Sequence, residues 1–195
     1  MKINNFNASI GNAFIIAEIG NNHNGSYDLA IEMIDEAILA GANCVKFQMR
    51  TLDELYRKRS INGSGEDLGT EYVVDLLKRF ELSKEEHKQL SEYCSKKDIT
   101  YLCTPWDQSS LIFLDTLSIP AYKVASADLT NIPLIELLIQ TKKPLILSTG
   151  MSTSDEIKFT ARILDAAEAE YVFLHCNSTY PAPVEDINLS WIHEL

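Results

Sequence analysis

The chain has 195 residues, 46% hydrophobic and 23% charged, which supplies both a core and a solvated surface and excludes a disordered segment. Its 17 lysines and arginines against 28 aspartates and glutamates leave a formal charge of −11, so there is no basic field for a nucleic-acid backbone and nucleic acid is excluded as a partner. No apolar run approaches the roughly 20 residues that cross a bilayer, and Met1 to Asn5 lacks the regions of a secretion signal, so the expectation is a cytoplasmic protein without a membrane partner. Cys44, Cys94, Cys103 and Cys176 form no C-x-x-C pair and read as reduced, mostly core residues.

In chain order, short β-branched or aromatic runs alternate with turns and helical patterns, with no linker to divide them. The first strand is Phe14 to Ala17, followed by a polar turn from Glu18 to Gly25. A helix follows with Leu29, Met33, Ile34, Ala37 and Ile38 on one stripe, Ser26 as N-cap and Gly41 as stop. After the strand Cys44 to Gln48, a polar stretch containing Asn62-Gly63-Ser64-Gly65 reads as an active-site loop leading into Tyr72 to Arg79. Ser64 between two glycines is too short a signal for a phosphate cradle. Ser83 and Glu86 have capping-box spacing ahead of a helix ending near Lys97. Further strands are Ile99 to Cys103, Ala121 to Val124, Leu145 to Ser148 and Tyr171 to His175. The stripe Leu111, Ile112, Leu114, Leu117 and the run Ile132 to Ile139 read as packing faces, and Asn188 to Leu195 as the start of another helix. Uniform β-then-α order predicts a parallel sheet buried on both faces, either a doubly wound open sheet or part of a (β/α)8 barrel.

Both architectures put ligands at the carboxyl ends of the strands. Those ends are polar throughout: Glu18 and Asn21 to Asn24; Lys46 and Gln48; Thr104; Lys123, Ser126 and Asp128; Ser148 and Thr149; His175 and Asn177 to Tyr180. Lys46 and Lys123 stand out because each lies within an apolar strand, where an unpaired ammonium costs several kcal/mol. Each needs an anion, met either by a ligand carrying phosphate and carboxylate or by a structural ion pair with Glu18 or Asp128. His23 reads as an orienting group in a turn, His175 as a neutral histidine satisfied by backbone, and His87 and His193 as residues on helical surfaces. No H-E-x-x-H, paired-cysteine or P-loop pattern occurs.

Six blocks together resemble the sialic acid synthase family, which includes legionaminate and pseudaminate synthases and related spore-coat polysaccharide synthases. They are Ile16 to Gly25 (IAEIGNNHNG), Val45 to Gln48, Cys103 to Trp106, Tyr122 to Asp128, Leu147 to Met151 and His175 to Pro181. The resemblance implies an α/β fold of the (β/α)8 TIM-barrel type, here incomplete with about six βα units, residues 1–195 being the N-terminal part of a phosphoenolpyruvate-condensing barrel. It implies that Lys46, Thr104, Lys123, Ser126, Ser148 and Ser178 surround phosphoenolpyruvate, while Glu18, Gln48, Asp128 and Tyr180 face an N-acylated mannosamine-like hexosamine and the reacting water. Glu18, Asp128 and Tyr180 are the implied catalytic residues. In the family chemistry C3 of phosphoenolpyruvate attacks the sugar aldehyde, water adds at C2, and phosphate leaves by C–O cleavage.

The resemblance also implies a divalent metal, manganese or magnesium, whose two histidine ligands are expected beyond Leu195. The remaining barrel units and an antifreeze-like domain are expected there too, with a homodimer for the full-length protein. A complete barrel averages about 250 residues, so a truncated synthase is the leading expectation. The alternatives are a non-catalytic remnant binding an anion or a sugar, and a flavodoxin-like open sheet with an unrelated ligand. Asp128 stands where N-acetylneuraminate-forming members carry Glu, which leaves the sugar open.

Overall fold

The computed structural model describes residues 1–9, 11–56 and 70–195. The stretch around Asn62-Gly63-Ser64-Gly65 lies outside the described residues. Contacts divide the chain into two compact units, one formed by Ile15–Leu117 and the other by Met1–Phe14 together with Ser118–Leu195.

In the Ile15–Leu117 unit, strands β3 (Ile16–Gly20), β4 (Cys44–Met49) and β5 (Thr100–Pro105) form a parallel sheet in that order. The connections are helical: α1 (Tyr27–Leu39) between β3 and β4, then α2 (Leu52–Leu55), α3 (Thr70–Arg79) and α4 (Lys84–Lys96) between β4 and β5. Helix α5 (Gln108–Asp115) follows β5. The helix ends follow from local chemistry. Ser26 caps α1 by accepting the Leu29 N–H, and Gly41 at φ +81° takes the left-handed turn beyond its end. Ser83 and Glu86 form the expected capping box on α4. Ile34, Phe47, Leu90, Leu102 and Leu114 are fully buried, so α1, α4 and α5 cover the sheet with the stripes their spacing predicts. Ile112, read as part of a packing stripe, is 61% exposed, because one α5 face carries only Leu111 and Leu114 inward.

In the other unit, β6 (Tyr122–Val124), β7 (Leu145–Ser148) and β8 (Tyr171–Leu174) form a second parallel sheet, connected by α6 (Ile132–Gln140) and α7 (Ser154–Ala166). Its core holds Tyr122 of β6, Ile135 and Leu138 of α6, Leu145 and Leu147 of β7 and Leu164 of α7. Strand β8 departs from the expected burial on both faces: Val172 is exposed and its neighbours are half-buried, since β8 pairs on one side only, with β7. A short antiparallel hairpin, β1 (Lys2–Ile3) with β2 (Phe6–Asn7), precedes the first parallel strand and is tied to this unit where the Lys2 N–H donates to Glu170 Oε1 at 3.3 Å. The region from Asn188 onward forms a 3-10 turn over Leu189–His193 rather than an α-helix.

Candidate functional site

Within the Ile15–Leu117 unit, strand register assembles four of the expected residues. Glu18 is the register partner of Lys46, and Gln48 of Thr104. The Lys46 ammonium reaches Glu18 Oε1 at 2.8 Å and donates to Thr104 Oγ1 at 3.1 Å. The lysine side chain is 5% exposed and the glutamate 53%, so the ion pair lies at the boundary between core and solvent. The ion-pair alternative for Lys46 is therefore realised, and it leaves Glu18 open to a ligand. Gly20 has φ +56°, a left-handed conformation that favours glycine, and a Cβ there would stand 3.3 Å from both Gln48 Nε2 and Glu18 Oε1.

The second unit repeats the device. Lys123 is the register partner of Ile146, and its ammonium reaches two residues along β7 to Ser148 Oγ at 2.6 Å, while also donating to the Val124 carbonyl at 2.8 Å. Lys46 reaches Thr104 by the same offset, since its register partner is Leu102. In each sheet a lysine inside a strand thus donates to a hydroxyl at the carboxyl end of the next strand.

Two serine hydroxyls of this unit already accept from the scaffold. Ser148 Oγ accepts from Lys123 and contacts Cys176 Sγ at 3.2 Å, and Ser126 Oγ accepts the Gly150 N–H at 3.2 Å. A hydroxyl that already accepts from a fixed donor turns its own proton elsewhere, which makes it a donor toward an anion. Ser178 is exposed at the surface, and a Cβ on Gly150 would come within 2.8 Å of its Oγ and 3.0 Å of the Cys176 carbonyl. Asp128 is 8% exposed; Oδ1 accepts from the Asn131 amide, Oδ2 has no hydrogen-bond partner among the described residues, and burial pushes its carboxyl above the ordinary value. Tyr180 is 92% exposed and stands apart from this hydrogen-bonded cluster.

The histidines differ from expectation in one case. His87 is buried rather than on a helical surface: it shares a 2.7 Å hydrogen bond with the Tyr101 hydroxyl, and burial lowers its pKa to about 4. His23 accepts the Gly25 N–H at 3.1 Å and is likewise held below the usual range by burial. His175 Nε2 meets the Ile187 carbonyl at 2.6 Å, and His193 is exposed. Among the described residues no group of three or more His, Cys, Asp or Glu side chains is arranged to hold a metal ion, and none of their helices is long and apolar enough to cross a membrane. The divalent ion implied by the resemblance therefore finds no ligand set among them, and no step below is routed through it.

Three contributors lie outside the residues singled out by sequence. Arg50 follows Gln48 at the two-residue period of a strand and donates to its Oε1 at 2.5 Å. Asp107 caps α5 and also accepts the Thr51 N–H at 2.6 Å, holding the end of β4 to the end of β5. Gly150 approaches Ser178 as described, and its signal is its place after a strand ending in Ser-Thr.

Comparison with known proteins places these features in a family. The NeuB family model matches residues 33–195. An N,N'-diacetyllegionaminic acid synthase of Legionella pneumophila is 36% identical, over 93% of this chain and 53% of its own length. A crystal structure of N-acetylneuraminic acid (sialic acid) synthetase from Leptospira borgpetersenii, in complex with citrate, superposes with a TM-score of 0.84 at 36% identity, covering 93% of this chain and 60% of that one. A Thermotoga maritima phospho-2-dehydro-3-deoxyheptonate aldolase, at 14% identity and a TM-score of 0.58 over 86% of this chain and 43% of that one, shares the TIM-barrel-like fold alone. The chain spans about half the length of the curated relatives it matches.

Proposed function

The chain belongs to the NeuB family, and from that premise we propose that it is the phosphoenolpyruvate-binding part of a nonulosonate synthase, built as six βα units of a (β/α)8 barrel. The reaction is condensation of phosphoenolpyruvate with an N-acylated mannosamine-like sugar: C3 of the enol attacks the aldehyde carbon, water adds at C2, and the C2–O bond breaks to release phosphate. The observation that carries this reading is the repeated lysine-to-hydroxyl device, Lys46 with Thr104 and Lys123 with Ser148. In each unit a buried ammonium group beside a strand-end hydroxyl, on a chain with net charge −11, suits an anionic ligand group.

In this reading Lys46 and Lys123 neutralise the phosphate and carboxylate and stabilise the charge that shifts as the enol attacks. Ser126, Ser148 and Ser178 donate to the anion, the first two while accepting from fixed scaffold donors. Glu18, Gln48, Asp128 and Tyr180 serve the sugar and the water. A carboxyl raised by burial, as in Asp128, retains a proton more readily and so can donate to a sugar oxygen. The shorter acid at this position directs the reading toward a sugar other than N-acetylmannosamine.

The test is calorimetry of phosphoenolpyruvate on this chain, together with phosphate release from phosphoenolpyruvate labelled with 18O at the bridging oxygen. Saturable binding is expected, and in any turnover the label emerges in phosphate. Absence of binding, or label retained in the organic product, overturns the proposal.

A further inference from the structure

Gln48 is oriented from behind. Its Oε1 accepts from Arg50 Nη2 at 2.5 Å, and a guanidinium has donors only, so the amide oxygen must be the atom turned toward Arg50. Arg50 is itself held at its guanidinium and through the backbone that follows it. Its guanidinium carbon lies 4.9 Å from the centroid of the Trp106 ring. The next residue, Thr51, is tied by its N–H to Asp107 Oδ2 at 2.6 Å, and Asp107 also accepts from the Ser110 N–H and hydroxyl. Glu81 lines the same small polar cavity as Arg50 and Gln48, and its charge acts on the arginine's. The opposite end of the amide, Nε2, lies over Gly20, 3.3 Å from where a Cβ there would stand.

We infer that Arg50 is the positioning residue of Gln48: by holding the amide oxygen it presents the Nε2–H donors, so the ligand group met by Gln48 is an acceptor oxygen, such as the acyl or a hydroxyl oxygen of an N-acylated sugar. The ligand's identity rests on the sugar-side role proposed above for Gln48, whereas the orientation of the amide does not. Lysine at position 50 would keep a donor but lose the guanidinium's planar fork over Trp106 and the fixed donor geometry that comes with it.

The test has two arms on the whole chain. In the first, the side-chain amide of Gln48 is followed by 15N NMR without ligand. The wild-type protein is expected to show a distinct, slowly exchanging pair of Nε2 protons, Arg50→Met a pair with the shifts of a free glutamine, and Arg50→Lys an intermediate state. An unchanged pair in Arg50→Met overturns the inference. In the second arm, phosphoenolpyruvate and a set of N-acylated hexosamines, N-acetylmannosamine and its modified forms, are titrated separately, and the sugar that wild type binds best is used for the variants. Arg50→Met and Gln48→Ala are each expected to weaken sugar binding by about tenfold, with phosphoenolpyruvate affinity within about twofold of wild type, and the double variant should be no weaker than Gln48→Ala. Additive losses, or equal losses for both ligands, overturn the positioning role. If wild type binds neither ligand, the proposed function fails, while the NMR arm still decides what Arg50 does.

Discussion

Acidification should loosen the Ile15–Leu117 unit through one identifiable group, His87. Its ring is buried against Phe47 in an edge contact with centroids 6.4 Å apart and shares its Nδ1 hydrogen bond with Tyr101, which itself stacks on Phe47 at 5.4 Å. Burial lowers the imidazole from 6.5 to about 4, so the unfolded chain takes up this proton first. The stabilising effect of a neutral His87 is complete above about pH 6.5 and is lost as pH falls toward about 4. Linkage over that interval gives a loss of about 2 kcal/mol between pH 7 and pH 5, out of a full separation of about 3 kcal/mol. The low pKa of His23, also caused mainly by burial, acts in the same direction, whereas the raised carboxyls of Asp128 and Glu81 act in the opposite one. A comparison with His87→Gln isolates the histidine. Urea denaturation followed by circular dichroism at pH 7 and pH 5 should show wild type losing about 2 kcal/mol more than the variant. Parallel pH curves for the two proteins, or an NMR titration placing His87 above pH 6, would refute the reasoning.

Lys46→Ala and Lys123→Ala are each expected to weaken phosphoenolpyruvate binding by about 1.5–3 kcal/mol, the worth of a charge-assisted hydrogen bond, in calorimetry. Unchanged affinity in both would return the lysines to a purely structural role. Gly150→Ala places a methyl 2.8 Å from Ser178 Oγ and should lower phosphoenolpyruvate affinity by about tenfold while the far-ultraviolet spectrum stays unchanged. Wild-type affinity in that variant would show that Ser178 does not contact the ligand. A disulfide-exchange reagent should titrate Cys176 rapidly in the native protein and reach Cys44, Cys94 and Cys103 only on unfolding, because those three are buried and burial raises their thiols. Release of more than one equivalent before unfolding would contradict that burial.

Much of this arrangement is legible in the residues because strand ends are read directly from where an apolar run stops. Leu145 to Ser148 is the strand as expected, and Ser83 with Glu86 is the cap as expected. Both lysines stand out as charges within apolar strands, and their hydroxyl partners lie at or near the carboxyl ends of the strands alongside. What is not legible depends on contacts between residues far apart in the chain. His87 lies with Leu90 and Cys94 on the buried side of α4, an i, i+3, i+7 series that marks an inward face, yet its charge-capable ring suggests solvent. Its burial follows from Tyr101, 14 residues later, which supplies the hydrogen bond. Arg50 carries no local signal, because its significance lies in Trp106 and Asp107 on the neighbouring strand end and no short-range pattern announces either contact. The Thr153 and Glu156 capping box, by contrast, follows from spacing alone and belongs with the legible features, although it is not among the caps expected above.

The division of the chain sets an order of events during synthesis. Ile15–Leu117 is continuous, whereas the other unit joins Met1–Phe14 to residues from Ser118 onward. The hairpin is made well before its anchor, since Glu170 lies 168 residues after Lys2. At roughly 5–20 residues per second that is about ten to thirty seconds of translation, during which the continuous unit is completed and the hairpin has no docking place. The hairpin is thus made long before it is secured, and a chaperone or protease meeting the nascent chain would find it before its partner exists.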